Sequence, residues 1–348
     1  MIRILLIPFV PVYWMLSCIR NYFFDKGIFK TRKVNATVIS VGNITIGGSG
    51  KTPATIFLTE MLKKEGKKVG VLSRGYGRSS KGFIFVSDGN NILTTVEKSG
   101  DEIYHTVIDC KVPAAVCENR VEGAQKLIER TGIDTLVLDD AFQHRWISRN
   151  IDLVLMDQRF LIESGSLSKT LLPVGLMRES FNSLKRADAI IFNRKFMESK
   201  QLPVSLKKKI PEKPVFHAYY KAISFIDLKT KTEYSLEEFK GQKSLVVSGI
   251  ANPKSFLNVL SQTNVDTSNK LIFRDHKNYT ASDVQEIRKN FYSTNSHSVV
   301  TTEKDAVKLT RYSVELDDID IFYLKIKMKM DDENSFRNFI LKNINKLN

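Results

Sequence analysis

Residues Thr45-Ile46-Gly47-Gly48-Ser49-Gly50-Lys51-Thr52 sit between an apolar, β-branched run and a helical stretch, where a phosphate-gripping loop belongs. Glycines there let backbone N–H groups turn inward around phosphate oxygens, and the N-terminus of the following helix favours the anion. Lys51 is placed to reach the β- and γ-phosphates of a nucleotide, and the Thr52 hydroxyl to ligate Mg²⁺. The usual pattern begins with glycine, whereas this chain has Thr45; the Gly47-Gly48 pair is a ready source of the missing flexibility. Such a loop needs a carboxylate near the metal, commonly at the end of a neighbouring apolar strand. Leu136-Val137-Leu138-Asp139-Asp140 supplies two. Adjacent acids after an apolar run also suit a solvated turn, and it is their company with the loop that favours a metal role.

These groups require an α/β frame. Ala36–Val41 reads as a buried strand ended by Gly42, Pro53–Lys64 as the helix after the loop, and Lys68–Leu72 as a second strand. Thr135–Leu138, Ile151–Met156 and Ala189–Phe192 are further apolar runs. Short apolar strands alternating with helical stretches predict a P-loop core with a mainly parallel sheet. The composition turns basic and proline-bearing at Lys207–Pro214, a boundary signal. Two strand-like runs follow, Val215–Ala222 and Ser224–Leu228; then Ser244–Ser248, Ser298–Thr302 and Ile321–Leu324 suggest a smaller α/β unit. The expected organisation is therefore 1–33, an N-terminal helix and basic stretch; 34–214, the P-loop core; 215–236, a β-ribbon-like link; and 237–348, the smaller α/β domain. No internal repeat or low-complexity segment interrupts it.

The chain of 348 residues carries 53 Lys plus Arg against 38 Asp plus Glu, a net charge of +15. That surplus attracts nucleic acid, anionic lipid headgroups or phosphorylated substrates, and charge alone does not choose among them. Cys18, Cys110 and Cys117 form no metal-ligand pattern with the five histidines, which suits a reducing compartment and argues against a disulfide framework. Ile4–Ile19 is almost wholly apolar, bears Pro8 and Pro11, and is followed by Arg20, Lys26, Lys30, Arg32 and Lys33. It is short of the ~20 residues that span a bilayer. A helix lying in a membrane interface, anchored by Phe9, Tyr13, Trp14, Tyr22, Phe23 and Phe24, fits better. The rival is a hydrophobic helix docked on the protein's own core or at a dimer contact.

Several motifs go beyond a generic P-loop. Val41–Pro53, Leu72-Ser73-Arg74-Gly75-Tyr76-Gly77-Arg78, Gly100-Asp101-Glu102, Asp139-Asp140-Ala141-Phe142-Gln143-His144 and Leu172–Glu179 together resemble the tetraacyldisaccharide 4′-kinases, the lipid A kinases of Gram-negative bacteria. Ser248–Pro253, Phe273-Arg274-Asp275-His276 and Thr301–Asp305 match as well, in the family's order, up to about Lys308. Thr45 in place of the first loop glycine is similar to that family's habit. The resemblance implies transfer of the ATP γ-phosphate to the 4′-hydroxyl of an acylated glucosamine disaccharide 1-phosphate, with Mg²⁺. It also implies a peripheral place on the cytoplasmic face of the inner membrane, against its surface lipids, with no nucleic acid and no obligate protein partner.

By that resemblance Asp101 and His276 form the catalytic pair. From the residues alone, Gly100-Asp101-Glu102 reads more readily as a helix N-terminus carrying favourable acids, and His276 as a surface histidine. Thr52, Glu179 and Asp140, the last ahead of Asp139, are the Mg²⁺ candidates. Arg74, Tyr76, Arg78, Arg120, Gln143 and His144 are candidates to line the substrate cleft, guanidinium groups matching phosphate geometry. The competing function is a membrane-associated P-loop switch or ATPase without metabolic kinase activity. A guanine motif, however, is missing: Thr302-Glu303-Lys304-Asp305 has its lysine one place late, and Asn193-Arg194-Lys195-Phe196 lacks the aspartate.

Overall fold

The computed structural model describes residues 5–250, 253–274 and 277–345. The chain divides into two compact units, residues 1–219 with 328–348, and residues 220–327.

In the first unit seven strands follow in chain order: β1 (Thr37–Asn43), β2 (Val69–Ser73), β3 (Ile84–Asp88), β4 (Pro113–Val116), β5 (Thr135–Asp139), β6 (Ile151–Asp157) and β7 (Ala189–Asn193). With the opening residues of β8 (Val215–Asp227) they lie in the order β8-β7-β6-β1-β5-β2-β4-β3. All pair in parallel except β3, which runs antiparallel to β4 at the edge. Buried Val, Ile and Leu fill β1, β5 and β6 on both faces, as a sheet covered by helices on each side requires. The register aligns Val41 of β1 with Asp139 of β5, so the acidic pair emerges beside the phosphate loop at the carboxyl edge of the sheet. That edge is where open α/β sheets bind ligands.

Gly42 is forced by packing. A Cβ there would lie 2.6 Å from Phe142 Cβ and 2.8 Å from the Phe142 backbone nitrogen. Phe142 is itself fully buried, in a cluster with Ile44, Val154, Met156, Met177 and Ile190. Only glycine lets the turn after β5 come this close to β1.

The second unit holds β9 (Glu233–Tyr234), β10 (Lys243–Ser248), β11 (Asp266–Ile272), β12 (Ser298–Thr302) and β13 (Ile321–Met330). Its parallel strands order as β11-β10-β12-β13, around a core of Leu245, Val247, Ile287, Val299, Leu309 and Ile321. The two strand-like runs expected after Pro214 are one strand, β8, whose far end folds back on β9, Phe225 facing Tyr234. The units part at Tyr219/Tyr220 rather than at 214 or 236, and the last residues belong to the first unit, not to a domain running from 237 to 348. The helix Glu333–Asn345 is held there by Arg337, whose Nε and Nη2 reach the Glu65 carboxylate at 2.5 and 2.8 Å, and by Phe336, 5.9 Å from the Phe57 ring and 5.0 Å from that of Phe216. The basic, proline-bearing stretch marks only the connection into β8. Cys110 and Cys117 are buried small groups and Cys18 is exposed; none of the three is joined in a disulfide.

Because the Phe142 contact is with backbone as well as side chain, Gly42→Ala is expected to destabilise the protein by ~1–3 kcal/mol in denaturant unfolding, the usual cost of overpacking. A change below about 0.5 kcal/mol, the scatter of neutral surface substitutions, would show that β1 and the Phe142 turn are not pressed together.

Candidate active site

Asn43, the last residue of β1, is fully buried and donates through Nδ2 to Ser49 Oγ at 2.8 Å. Asn193, ending β7, donates to the Ser49 carbonyl at 3.0 Å. Two strand-end amides thus shape the loop from inside. Gly47 and Gly50 take φ of 99° and 97°, left-handed values that a side chain resists. The helix Lys51–Lys64 follows directly, with no side chain capping its first turn, which leaves its N-terminus as an anion seat. The loop's outer wall comes from residues 171–179. Ile46 donates to the Leu176 carbonyl and Arg178 to the Ile44 carbonyl, both at 2.7 Å, and Thr45 bridges Met177.

Asp139 and Asp140 divide their tasks by environment. The Asp139 side chain is buried, accepting from Thr55 Oγ1 at 3.3 Å and Ser73 Oγ at 3.4 Å. Burial first, then the charges of Glu102 and Asp140, push its carboxyl up to about 7, against the opposing pull of Lys51 and Arg120. Asp140 has φ 49°, a strained left-handed turn that swings its carboxylate outward. There Lys51 Nζ lies 3.8 Å away, and Arg178 Nη1 reaches both oxygens at 2.9 and 3.1 Å. A buried acid whose carboxyl is pushed up by desolvation, beside a second acid, a threonine hydroxyl and a lysine, is an oxygen-donor set short of positive charge. It fits a hard divalent cation.

Arg120 is almost wholly buried. It donates to the carbonyls of Cys117 at 2.7 Å and Asp139 at 3.3 Å, and desolvation lowers its guanidinium to about 10. His144 is lowered to about 4 by burial and then by Arg120, Arg149, Arg74 and Arg20, so at neutral pH its ring is uncharged. Arg74 and Tyr76 stand exposed in the loop after β2. That loop packs on the Gly100 turn: a Cβ on Gly100 would lie 3.1 Å from the Tyr76 carbonyl. Asp101 opens the helix Asp101–Cys110, and Glu102 follows it close enough to act on Asp139.

The N-terminal helix, Phe9–Asp25, is docked with its polar side inward. Tyr13 donates to the Arg178 carbonyl at 2.8 Å, and Arg20 and Asn21 reach Glu179 at 3.1 and 3.4 Å. Arg145 holds the far end through the Asn21 carbonyl and Asp25, under the Phe24 ring. Phe9, Val12, Trp14, Met15, Leu16, Ile19 and Tyr22 are left exposed. No helix among the described residues is long and apolar enough to cross a membrane.

The model of one protein family, the tetraacyldisaccharide-1-P 4′-kinases, matches residues 2–345. The chain belongs to this family. Curated tetraacyldisaccharide 4′-kinases similar to it include that of Phocaeicola vulgatus, 37% identical over 87% of this chain and 84% of its own, and that of Halothermothrix orenii, 34% identical over 87% and 82%. A crystal structure of LpxK from Aquifex aeolicus in complex with ATP superposes with a TM-score of 0.81 at 29% identity, covering 99% of both chains.

Within the family's motifs, the structure brings together the loop 45–52, Asp139, Asp140, Arg120 and the Gly100 turn. Other expected residues are held by contacts within the protein. Arg78, its side chain 2% exposed, spends Nη2 on Glu118 at 2.6 Å and the Gly82 carbonyl at 2.7 Å. Gln143 donates to the Asn43 carbonyl at 2.8 Å and lies 3.4 Å from Arg178 Nη1. The Glu179 carboxylate, 2% exposed, is taken by Arg20 and by Arg186 at 2.6 Å. A metal role for Glu179 therefore requires that pairing to open. His276 lies outside the described residues. Asn43, Asn193, Glu102 and Arg178 were not singled out as site residues from sequence. The signal for the first two is a polar residue ending an otherwise apolar strand.

A raised carboxyl costs stability once it must ionise. The folded pKa of Asp139 exceeds its unfolded one, so its protonated form favours the fold at low pH and that benefit disappears as pH climbs from about 4 through about 7. Asp139→Asn is therefore expected to raise the unfolding free energy of metal-free protein at pH 8, read by denaturant titration, by at least the ~1.4 kcal/mol of one pKa unit, with little change at pH 4. An equal effect at both pH values, or destabilisation at pH 8 alone, would contradict it.

Proposed function

We propose that the chain transfers the γ-phosphate of ATP to the 4′-hydroxyl of an acylated glucosamine disaccharide 1-phosphate, giving the 4′-phosphorylated lipid. The observation that carries this reading is the pairing of a phosphate loop with the buried Asp139 and the outward Asp140 in a chain of the tetraacyldisaccharide 4′-kinase family. In this mechanism the loop amides and Lys51 hold the β- and γ-phosphates, and Arg120 and Arg178 fix the acids behind them. Thr52, Asp139 and Asp140 would hold Mg²⁺, while Glu179 stays paired with Arg20 and Arg186. When bound, the ion supplies positive charge against the phosphate oxygens.

Asp101 serves as general base, taking the proton of the 4′-hydroxyl as that oxygen bonds to the γ-phosphorus. The bond from the γ-phosphorus to its bridging oxygen then breaks and ADP leaves. His276 acts with Asp101 by family resemblance. Arg74, Tyr76 and neutral His144 face the acceptor, Arg74 contributing charge and the exposed Tyr76 ring a surface for the sugar. The outward apolar face of the N-terminal helix and the +15 charge support docking on the cytoplasmic face of the inner membrane, each buried large apolar side chain adding roughly 1.5–3 kcal/mol.

Incubation with γ-labelled ATP and the disaccharide 1-phosphate should place label on lipid; label released only as inorganic phosphate would favour the ATPase reading instead. Lys51→Ala and Thr52→Ala should each abolish transfer. Asp101→Ala should cut turnover at saturating substrates by about 10²–10⁴-fold with nucleotide affinity kept. Combined with His276→Ala it should lose much less than the product of the two single losses, since groups acting as a unit are not additive. Multiplicative losses would separate the pair.

A further inference from the structure

The apolar face of the N-terminal helix explains why the helix exists, but not why its other face is built as it is. A helix that only tethered the chain to lipid would need no specific inner contacts. This one makes three with consecutive residues of a single wall. Tyr13 donates to the Arg178 carbonyl at 2.8 Å, and Arg20 and Asn21 take the Glu179 carboxylate at 3.1 and 3.4 Å. The Glu179 side chain is 2% exposed and that of Arg20 is 40% exposed, so the pair is shielded from water and salt on its carboxylate side.

The same wall is bonded to the phosphate loop. Arg178 N donates to the Ile44 carbonyl and Ile46 N to the Leu176 carbonyl, each at 2.7 Å, while the Arg178 side chain grips Asp140. A path runs from Arg20 by hydrogen bond to Glu179, through the peptide bond to Arg178, and on by hydrogen bonds to the loop entrance at Ile44 and to Asp140. We infer that Arg20 is a positioning residue of the nucleotide site: the helix offered to the membrane also sets the loop that holds ATP. The inference rests on the nucleotide-site reading above. It predicts a coupling that reciprocity makes two-way, nucleotide binding tightening the docking of the helix as much as docking tightens nucleotide binding.

The test is the affinity of full-length protein in detergent micelles for a fluorescent ATP analogue with Mg²⁺, without acceptor, beside flotation with anionic phospholipid vesicles. Arg20→Ala is expected to weaken the analogue by about tenfold, within the usual range of coupling between sites, and to float like wild type. Leu16→Asp, on the exposed face, is expected to do the reverse. Arg20→Lys should recover part of the loss, and Arg20→Ala with Glu179→Gln should be little worse than either alone. Should Arg20→Ala fail to fold, Tyr13→Phe and Arg20→Lys carry the question, each weakening the analogue several-fold. Wild-type affinity in the folded Arg20 variants, or losses that simply multiply with Glu179→Gln, would overturn the inference. Failure of wild type to label lipid would strike the functional reading and leave this binding arm intact.

Discussion

The site depends on a carboxylate that is buried at the end of β5 and not fully neutralised there. Asp139 is in the sheet interior, its oxygens accepting from the Thr55 and Ser73 hydroxyls, with Glu102 and Asp140 adding negative charge. Desolvating such a group is costly unless a cation accompanies it. Around it the chain has gathered Lys51 and Arg120, and it turns the next acid, Asp140, outward to Lys51 and Arg178. Everything that positions these groups follows from that arrangement. The Val41–Asp139 register sets the acid beside the loop, Gly42 lets Phe142 close the turn, and Asn43 and Asn193 hold Ser49 from beneath. Burying Asp139 among other acids is a cost that Lys51 and Arg120 offset only in part.

The second constraint is the polarity of the N-terminal helix. Its inner side carries Tyr13, Arg20 and Asn21 as hydrogen-bonding groups beside the buried Phe24, and its outer side is largely apolar, unlike an ordinary surface helix. No helix among the described residues is long and apolar enough to cross a membrane, and the proposed docking on lipid rests on this outward apolar face. The helix also places a charged side chain, Arg20, where it can act on the wall of the nucleotide site.

Much of this was legible in sequence. The loop, the acidic pair, the strands that flank them and the apolar N-terminus are local patterns of a few residues, and each fell where the spacing indicated. What escaped was non-local. Nothing around Glu179 distinguishes a metal ligand from the partner of an arginine 159 positions earlier. Arg78 reads as a free cation until Glu118, 40 residues on, is seen to hold it. The boundary between the units was misplaced for a similar reason: composition marks the loop before β8, but the chain parts inside the strand, and the final helix returns to the first unit through the Arg337–Glu65 and Phe336–Phe57 contacts.

The most direct measurement of the central claim is the titration of the Asp139 carboxyl by carbon-detected NMR, first in metal-free protein and then with Mg²⁺ and a non-hydrolysable ATP analogue. The account predicts a midpoint near 7 without ligand, as burial and the neighbouring acids dictate, and a fall of more than one unit when the cation and phosphates arrive. An ordinary aspartate midpoint near 4 in both states, or no change on adding the nucleotide, would contradict it.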